Sequence, residues 1–168
     1  LIPLVEVGGG EKTAPEAIAR AMDFYTAIGK KPIHVRREIK GHIANRLQAA
    51  LWREAFHLVD QGVASVADID IAIAHGPGLR WALMGPFLNL HLSGGEGGMA
   101  HLLDHLGGPI ESWWQDLGAP RMHAELKAKV VAGVAQALAG RSEADLQRAR
   151  DQLLLDLMAA KANSGTLT

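Results

Sequence analysis

Two apolar runs near the start of the chain predict two short strands with a helix between them, and this unit most constrains the fold. The runs are Ile2–Val7 and residues 33–36, and the helix is expected to end at Gly29. Thr13 and Glu16 have the Thr-x-x-Glu spacing of a capping box, which predicts the start of the helix. Two parallel strands alone cannot bury both faces of a sheet. The unit is therefore expected to belong to a larger sheet.

From Gly41 onward the apolar spacing is helical almost throughout, which predicts a bundle of roughly six to eight helices. Segment 43–63 is apolar on two faces, and such a helix is normally buried on both. The two faces consist of Ile43, Leu47, Leu51, Ala55 and Leu58, and of Trp52, Phe56, Val59 and Val63. One face is expected to pack within the bundle and the other against a second subunit, which predicts a homodimer. The alternative is a central helix surrounded by its own chain.

Serine caps and glycine stops predict the bounds of several later helices. Ser65 is expected to cap a short helix that runs to about His75, and Ser142 with Asp145 to cap the last one. Between them, apolar residues recur every four positions over 122–138, which predicts another helix.

The segment around residue 100 is expected to be broken into short pieces. The glycine-rich stretch 94–98 is interpreted as a loop, followed by short helices at about 99–106 and 110–117. Trp113 and Trp114 are adjacent and point in different directions on a helix, so at least one of them is expected to lie in the core.

Composition and charge exclude several classes of protein. Of the 168 residues 48% are apolar, which can fill the core of one domain or of one domain plus a fragment. The formal net charge is −1, the sequence pI is about 6.8, and no basic stripe indicates a nucleic-acid partner. No apolar segment approaches the roughly 18–20 residues that cross a bilayer. The absence of cysteine excludes disulfides and thiolate-bound zinc.

The first residues do not have the pattern of a signal peptide, because no charged region followed by a long apolar core precedes Val7. They are interpreted as a strand that the chain enters in mid-protein, which leads to the expectation that a further segment precedes Leu1. A cytoplasmic location without a membrane partner is expected.

Three motifs, taken in order, resemble the 3-hydroxyacyl-CoA dehydrogenase family. Residues 4–13 (Leu-Val-Glu-Val-Gly-Gly-Gly-Glu-Lys-Thr) resemble the end of its nucleotide-binding domain. Residues 40–47 (Lys-Gly-His-Ile-Ala-Asn-Arg-Leu) look like the Gly-Phe-Ile-x-Asn-Arg motif that opens its C-terminal domain, with His42 in place of phenylalanine. Residues 68–70 (Asp-Ile-Asp) followed by 85–87 (Gly-Pro-Phe) are similar to its Asp-Ile-Asp…Gly-Pro pattern. The likeness covers residues 1 to about 100.

The resemblance implies a mainly α fold, in which a helical C-terminal dimerisation domain follows the residual strand–helix–strand end of a Rossmann domain. It implies a remnant of the NAD-binding domain over 1–38, an all-α substrate and dimerisation domain over 39–162, and a flexible tail over 163–168. The chain contains no Gly-x-Gly-x-x-Gly after a strand, so the phosphates of NAD are expected to bind upstream of it.

Within the family, two segments are similar to the branch that contains L-carnitine dehydrogenases and L-gulonate dehydrogenase (λ-crystallin). They are residues 78–86 (Gly-Leu-Arg-Trp-Ala-Leu-Met-Gly-Pro) and the glycine-rich stretch 94–98. The implied substrate is a small hydroxyacid or an acyl-CoA.

The resemblance implies NAD-dependent oxidation of a secondary alcohol to a ketone, with two catalytic residues in this chain. In the family a histidine precedes the glutamate that matches Glu6, and here it would lie upstream of Leu1. A carboxylate beside a histidine fixes its tautomer and stabilises the imidazolium as it forms. Asn45 matches the asparagine of the motif, and its amide can donate to a developing oxyanion. The structural alternatives are a solvent-facing acid and an asparagine that satisfies backbone groups at a helix start.

Arg80 and Trp81 are weaker candidates for substrate binding. A guanidinium can clamp a carboxylate with two parallel hydrogen bonds, and an indole can lie over a trimethylammonium group. The alternatives are a structural arginine and a core tryptophan. His101 and His105 lie one helical turn apart, but His-Leu-Leu-Asp-His lacks the glutamate of the metalloprotease motif, so no metal site is expected.

Two readings without catalysis remain open. The chain is consistent with an all-α dimerisation or interaction module whose strand–helix–strand start docks on a partner. It is also consistent with a λ-crystallin-like structural protein, because such proteins retain the pattern of the enzyme.

Overall fold

The computed structural model describes residues 1–167, which divide into two compact units, one over residues 1–52 and one from Arg53 onward. In the first unit a strand, a helix and a second strand follow one another in the order β1 Leu4–Gly8, α1 Pro15–Ala27 and β2 Lys31–Val35. The strands pair in parallel, from Leu4 opposite Lys31 to Gly8 opposite Val35. Val7 and Val35 are buried, at 8% and 6% exposure. The predicted strand–helix–strand unit is confirmed.

The expected capping box at the start of α1 is wrong. The Thr13 hydroxyl accepts a hydrogen bond from the Gly10 amide (3.1 Å) and closes the glycine loop, while Ala14 precedes the helix without a side-chain cap. The physical reason is Pro15, which has no N–H to be capped and whose fixed φ suits the first helical position. The predicted end of the helix is confirmed, since Gly29 adopts a φ of +77°.

Helix α2 (Ala44–Asp60) contributes residues to both units, and six further helices make up the rest of the second unit. These are α3 Val66–His75, α4 Pro77–Leu83, α5 Pro86–Ser93, α6 Gly98–Asp116, α7 Ala124–Leu138 and α8 Glu143–Ser164. In this unit no strand occurs within the described residues. The prediction of a mainly α fold with a helical C-terminal part is confirmed.

Ser65 and Ser142 cap the starts of α3 and α8, as the sequence predicted. The Ser65 hydroxyl accepts from the Asp68 amide (3.1 Å), and Asp68 Oδ2 accepts from the Ser65 amide (3.3 Å). These hydrogen bonds, from the Ser65 hydroxyl first and its amide second, hold the pKa of Asp68 below its ordinary value. Ser142 caps α8 by accepting from the Asp145 amide (3.3 Å).

Three expectations for the second unit need correction. Helix α6 is continuous from Gly98 to Asp116 with Pro109 inside it, instead of two short helices, because a helical φ suits proline and one missing hydrogen bond did not break the helix. Trp113 and Trp114 are both exposed, at 64% and 66%, so neither lies in the core. Helix α8 extends to Ser164, into the expected tail, whose last residue lies outside the described ones. Within the glycine-rich stretch, residues 95–97 form one 3-10 turn.

Three apolar side chains of the second unit are fully or nearly fully buried, namely Val59, Leu102 and Leu126. Close packing of α3 on α7 depends on Gly133, where an added Cβ would lie 2.5 Å from a methyl group of Val66. Many large apolar side chains of this unit remain exposed to solvent. Among the helices that the structure describes, none is long and apolar enough to cross a membrane.

Candidate active site

A cleft in the first unit lies at the end of β1 and brings together several of the residues that the sequence singled out. It is lined by Glu6, the glycine loop 8–10, Val35, Glu38 and His42. The glycines contribute no side chains, and a Cβ added at Gly10 would meet no atom within 4 Å. The cleft is therefore open on the side of the loop and carries ionisable groups on the other.

Glu6 binds the backbone at the start of helix α2. Its Oε1 accepts from the amides of Ile43 (2.6 Å) and Ala44 (3.2 Å). The first amides of a helix have no partner within the helix, and a carboxylate there also interacts favourably with the helix dipole. These two contacts explain how a half-buried acid is accommodated in an apolar strand. Within the described residues no hydrogen bond is made to Oε2, which leaves this oxygen for a further partner.

A tight turn before α2 presents these amides to the carboxylate. Gly41 and His42 both have positive φ, +81° and +48°, and the His42 amide donates to the Ile39 carbonyl (3.0 Å). This backbone region favours glycine, and among other residues histidine, asparagine and aspartate enter it most readily. The backbone conformation of the turn therefore explains why glycine and histidine are suited to these two positions of the motif.

Asn45 lies in the first turn of α2, directly after the two residues whose amides hold Glu6. Its side chain is exposed and makes no hydrogen bond within the part of the chain that the structure describes. The two candidate catalytic residues are thus joined through one helix start, although 38 positions separate Glu6 from Ala44 in sequence. An exposed amide and a carboxylate oxygen that are both available can take part in proton transfer and oxyanion stabilisation.

The other two candidates lie in the second unit. Arg80 and Trp81 occupy helix α4, and both side chains are exposed, Trp81 at 44%. The guanidinium of Arg80 makes no hydrogen bond or ion pair within residues 1–167.

Two residues that sequence reasoning missed fix the backbone at helix ends of the second unit. The Asn89 amide donates to the carbonyls of Met84 (2.8 Å), Gly85 (3.0 Å) and Arg80 (3.3 Å), and so secures the end of α4. His91 Nδ1 accepts from the Met99 amide (3.1 Å) and caps α6 from the preceding helix. The only local signal was a polar side chain after the Gly-Pro pair, because the partners depend on how the helices turn.

The histidines considered for metal binding lie on α6. The rings of His101 and His105 stack with centroids 6.1 Å apart. Among the described residues no group of three or more histidine, cysteine, aspartate or glutamate side chains is placed to hold a metal ion.

Two family models match consecutive parts of the chain. Residues 1–39 match the model described as 3-hydroxyacyl-CoA dehydrogenase, NAD binding domain. Residues 41–136 match the model described as 3-hydroxyacyl-CoA dehydrogenase, C-terminal domain. The boundary between the two matches falls at the tight turn that precedes α2.

Similar curated proteins include L-carnitine dehydrogenases of several bacteria. The chain is 54% identical to that of Streptomyces coelicolor over 98% of its own length and 52% of the relative. It is 49% identical to that of Bacillus cereus over 94% of its length and 48% of the relative. The chain therefore spans about half the length of the curated relatives it matches.

A similar solved structure is that of 5-formyl-3-hydroxy-2-methylpyridine 4-carboxylic acid 5-dehydrogenase, described as an NAD+-dependent dismutase. It aligns with a TM-score of 0.72 at 26% identity and covers 99% of this chain and 53% of that one. The fold, the order of the motifs and the match of the C-terminal-domain model to more than half of the chain agree, and the chain belongs to the 3-hydroxyacyl-CoA dehydrogenase family.

Proposed function

We propose that the whole protein to which this chain belongs is an NAD-dependent dehydrogenase that oxidises the secondary alcohol of an L-3-hydroxyacid to a ketone. The observation that carries this proposal is the Glu6 carboxylate, which is held at one oxygen by the start of α2 and open at the other, in a cleft. L-carnitine is the first substrate to test, because the similar L-carnitine dehydrogenases align with nearly the whole chain.

Glu6 acts in this proposal as the carboxylate of a histidine–glutamate dyad, whose histidine precedes the matching glutamate in the family. The base takes the proton of the substrate hydroxyl, while Glu6 fixes the imidazole tautomer and stabilises the imidazolium. Because two backbone amides anchor Oε1, the direction of Oε2 is set before the histidine binds it. This arrangement lowers the cost of ordering the dyad.

The side-chain NH2 group of Asn45 donates a hydrogen bond to the substrate oxygen that becomes the ketone oxygen. This group carries two N–H donors. The support is its position in the helix turn that Glu6 holds, where its side chain is not engaged with other described residues. The role of Glu6 and that of Asn45 therefore depend on the same local geometry.

NAD, when bound, supplies the hydride acceptor. Residues 1–39 match the NAD binding domain of the family, and the glycine loop leaves backbone without side chains at the edge of the cleft. The nicotinamide ring would lie beside Gly10, where an added Cβ would meet no atom within 4 Å. The glycine-rich motif that would hold the phosphates is not part of this chain.

Arg80 is proposed to bind the substrate carboxylate, and Trp81, the next residue of α4, to contribute to the same substrate-binding surface. An exposed guanidinium and a 44% exposed indole are both available for a ligand. Two parallel hydrogen bonds from the guanidinium to the carboxylate would provide the affinity.

We further propose that the protein is a homodimer, with residues 39–162 as the dimerisation and substrate domain. The support is exposed apolar surface on helix α2, whose residues Leu47 and Trp52 are 61% and 52% exposed. The boundary at residue 38 is supported by the two family matches, which meet between residues 39 and 41.

The activity is tested with a chimera in which this chain replaces the matching half of the Streptomyces coelicolor L-carnitine dehydrogenase. NADH formation is measured with L-carnitine, L-gulonate and 3-hydroxybutyryl-CoA. Turnover of L-carnitine is expected. A chimera that folds and binds NAD but oxidises none of the three would contradict the proposal and favour a structural role.

A further inference from the structure

Acidic side chains outnumber basic ones in the lining of the cleft beside Glu6. The side chains that line it include two carboxylates, Glu6 and Glu38, and the imidazole of His42, and among its described lining residues there is no lysine or arginine. Glu6 is engaged with the start of α2, so Glu38 contributes a negative charge that no described lysine or arginine of the lining balances. Such a charge disfavours an anionic group and favours a cationic one. The cleft is thus suited to one end of a substrate and unsuited to its carboxylate.

The two carboxylates are not equivalent. Glu6 is engaged at one oxygen with backbone amides. Glu38 is exposed and forms no hydrogen bond or ion pair within residues 1–167, although Arg37 and Lys40 are close to it in sequence. Glu38 therefore retains its full capacity to attract a ligand.

We propose that Glu38 is a specificity-determining residue that attracts the quaternary ammonium group of the substrate into this cleft, with the ring of His42 as the wall beside it. This inference rests on the proposed oxidation of an L-3-hydroxyacid. A quaternary ammonium group has no N–H to donate, so charge attraction and contact with a flat ring are the interactions available to it. His42 is placed for that contact by the turn that also presents the α2 amides to Glu6.

The test compares two substrates that differ in charge alone, L-carnitine and L-3-hydroxy-5,5-dimethylhexanoate, in which a carbon atom replaces the quaternary nitrogen. The ratio of their kcat/KM values is measured in the chimera with Streptomyces coelicolor L-carnitine dehydrogenase. Glu38→Gln is expected to lower the preference for L-carnitine about fivefold, mainly through KM. Glu16→Gln, which neutralises an exposed carboxylate on α1 that does not line the cleft, is the matched control and is expected to leave the ratio unchanged.

His42 is tested with two variants in the same assay. His42→Ala removes the wall and is expected to lower the preference for L-carnitine by a factor of about three, whereas His42→Phe keeps a ring and is expected to preserve it. Circular dichroism verifies that each variant is folded.

The outcomes separate this inference from the proposed function. If the chimera oxidises L-gulonate or 3-hydroxybutyryl-CoA but neither L-carnitine nor its carbon analogue, the inference fails and the proposed function stands. If it oxidises none of these substrates, both fail. If the chimera is active but Glu38→Gln changes both kcat/KM values equally or changes neither, the inference alone is overturned. If folding of the Glu38→Gln variant is impaired, Glu38→Asp, which keeps the charge, must retain the preference for L-carnitine.

Discussion

At the scale of the residue, Glu6 combines a structural function, the contact with the start of α2, with a catalytic function that we propose. Its position in an apolar strand left two alternatives, an acid that faces solvent and a carboxylate with a partner, and the structure supplies one partner, the start of α2. The partner lies 37 and 38 positions away, at amides that any residue except proline carries. The sequence therefore predicted that Glu6 is unusual, whereas its contacts required the tertiary structure.

Substitution of Glu6 separates the two functions. Glutamine keeps an oxygen that accepts from the Ile43 and Ala44 amides but loses the charge, so Glu6→Gln is expected to lower kcat of the chimera about 100-fold. The loss of unfolding free energy is expected to be small for glutamine and about 1–2 kcal/mol for Glu6→Ala, which leaves the amides without their partner. Steady-state kinetics and chemical denaturation measure the two effects.

The comparison of these two variants contains its own control. If Glu6→Gln retained full activity, Glu6 would act as a structural cap alone. If Glu6→Ala were as stable as the parent, the hydrogen bonds to α2 would contribute nothing measurable.

At the scale of the element, helix ends whose caps are local were predictable, and those whose caps come from elsewhere were not. Ser65 and Ser142 each bind an amide three residues ahead, so the spacing alone was sufficient. Helix α6 is capped by His91, eight residues before Met99 and on another helix, and no spacing rule indicates such a partner. Thr13 does not cap α1, because Pro15 occupies the first helical position and Ala14 therefore takes the cap position.

The Ser65 cap gives a prediction about pH. Because hydrogen bonds from Ser65 lower the pKa of Asp68, their stabilisation is present above the unfolded-state pKa of about 3.9 and is lost as pH falls through the folded-state value. In Ser65→Ala the pKa of Asp68 is expected to rise towards its ordinary value, and the unfolding free energy at neutral pH to fall by about 1 kcal/mol. NMR titration of the Asp68 carboxyl measures the first effect, and chemical denaturation the second.

Ser142→Ala serves as the comparison, since it removes a similar cap from α8 without touching Asp68. An unchanged Asp68 pKa in Ser65→Ala would show that the hydroxyl is not its principal partner.

At the scale of the whole molecule, the question is what covers the apolar surface that the second unit and α2 expose. The periodicity of segment 43–63 predicted two apolar faces, and in the structure Val59 is the one buried residue of α2. Periodicity indicates that a face is to be covered, but it cannot distinguish coverage by the same chain from coverage by another. Leu47, Trp52 and the Trp113–Trp114 pair are exposed in this chain, and we propose that a second copy of the protein covers the α2 surface.

A charge placed in this surface tests the homodimer. Leu47 is 61% exposed on α2, so Leu47→Glu does not disrupt a core of the isolated chain. If the α2 surface is an interface, burial of an unpaired carboxylate there is expected to weaken association at least about 100-fold, because an uncompensated buried charge costs several kcal/mol. Analytical ultracentrifugation of the chimera over a range of concentrations measures the dissociation constant.

Gln48→Glu adds the same charge to the next residue of the helix and is the control. It is expected to weaken association less than Leu47→Glu, because residue 48 belongs to neither apolar face. A dimer that is equally stable with either substitution would place the interface elsewhere, and a monomeric parent would contradict the dimer itself.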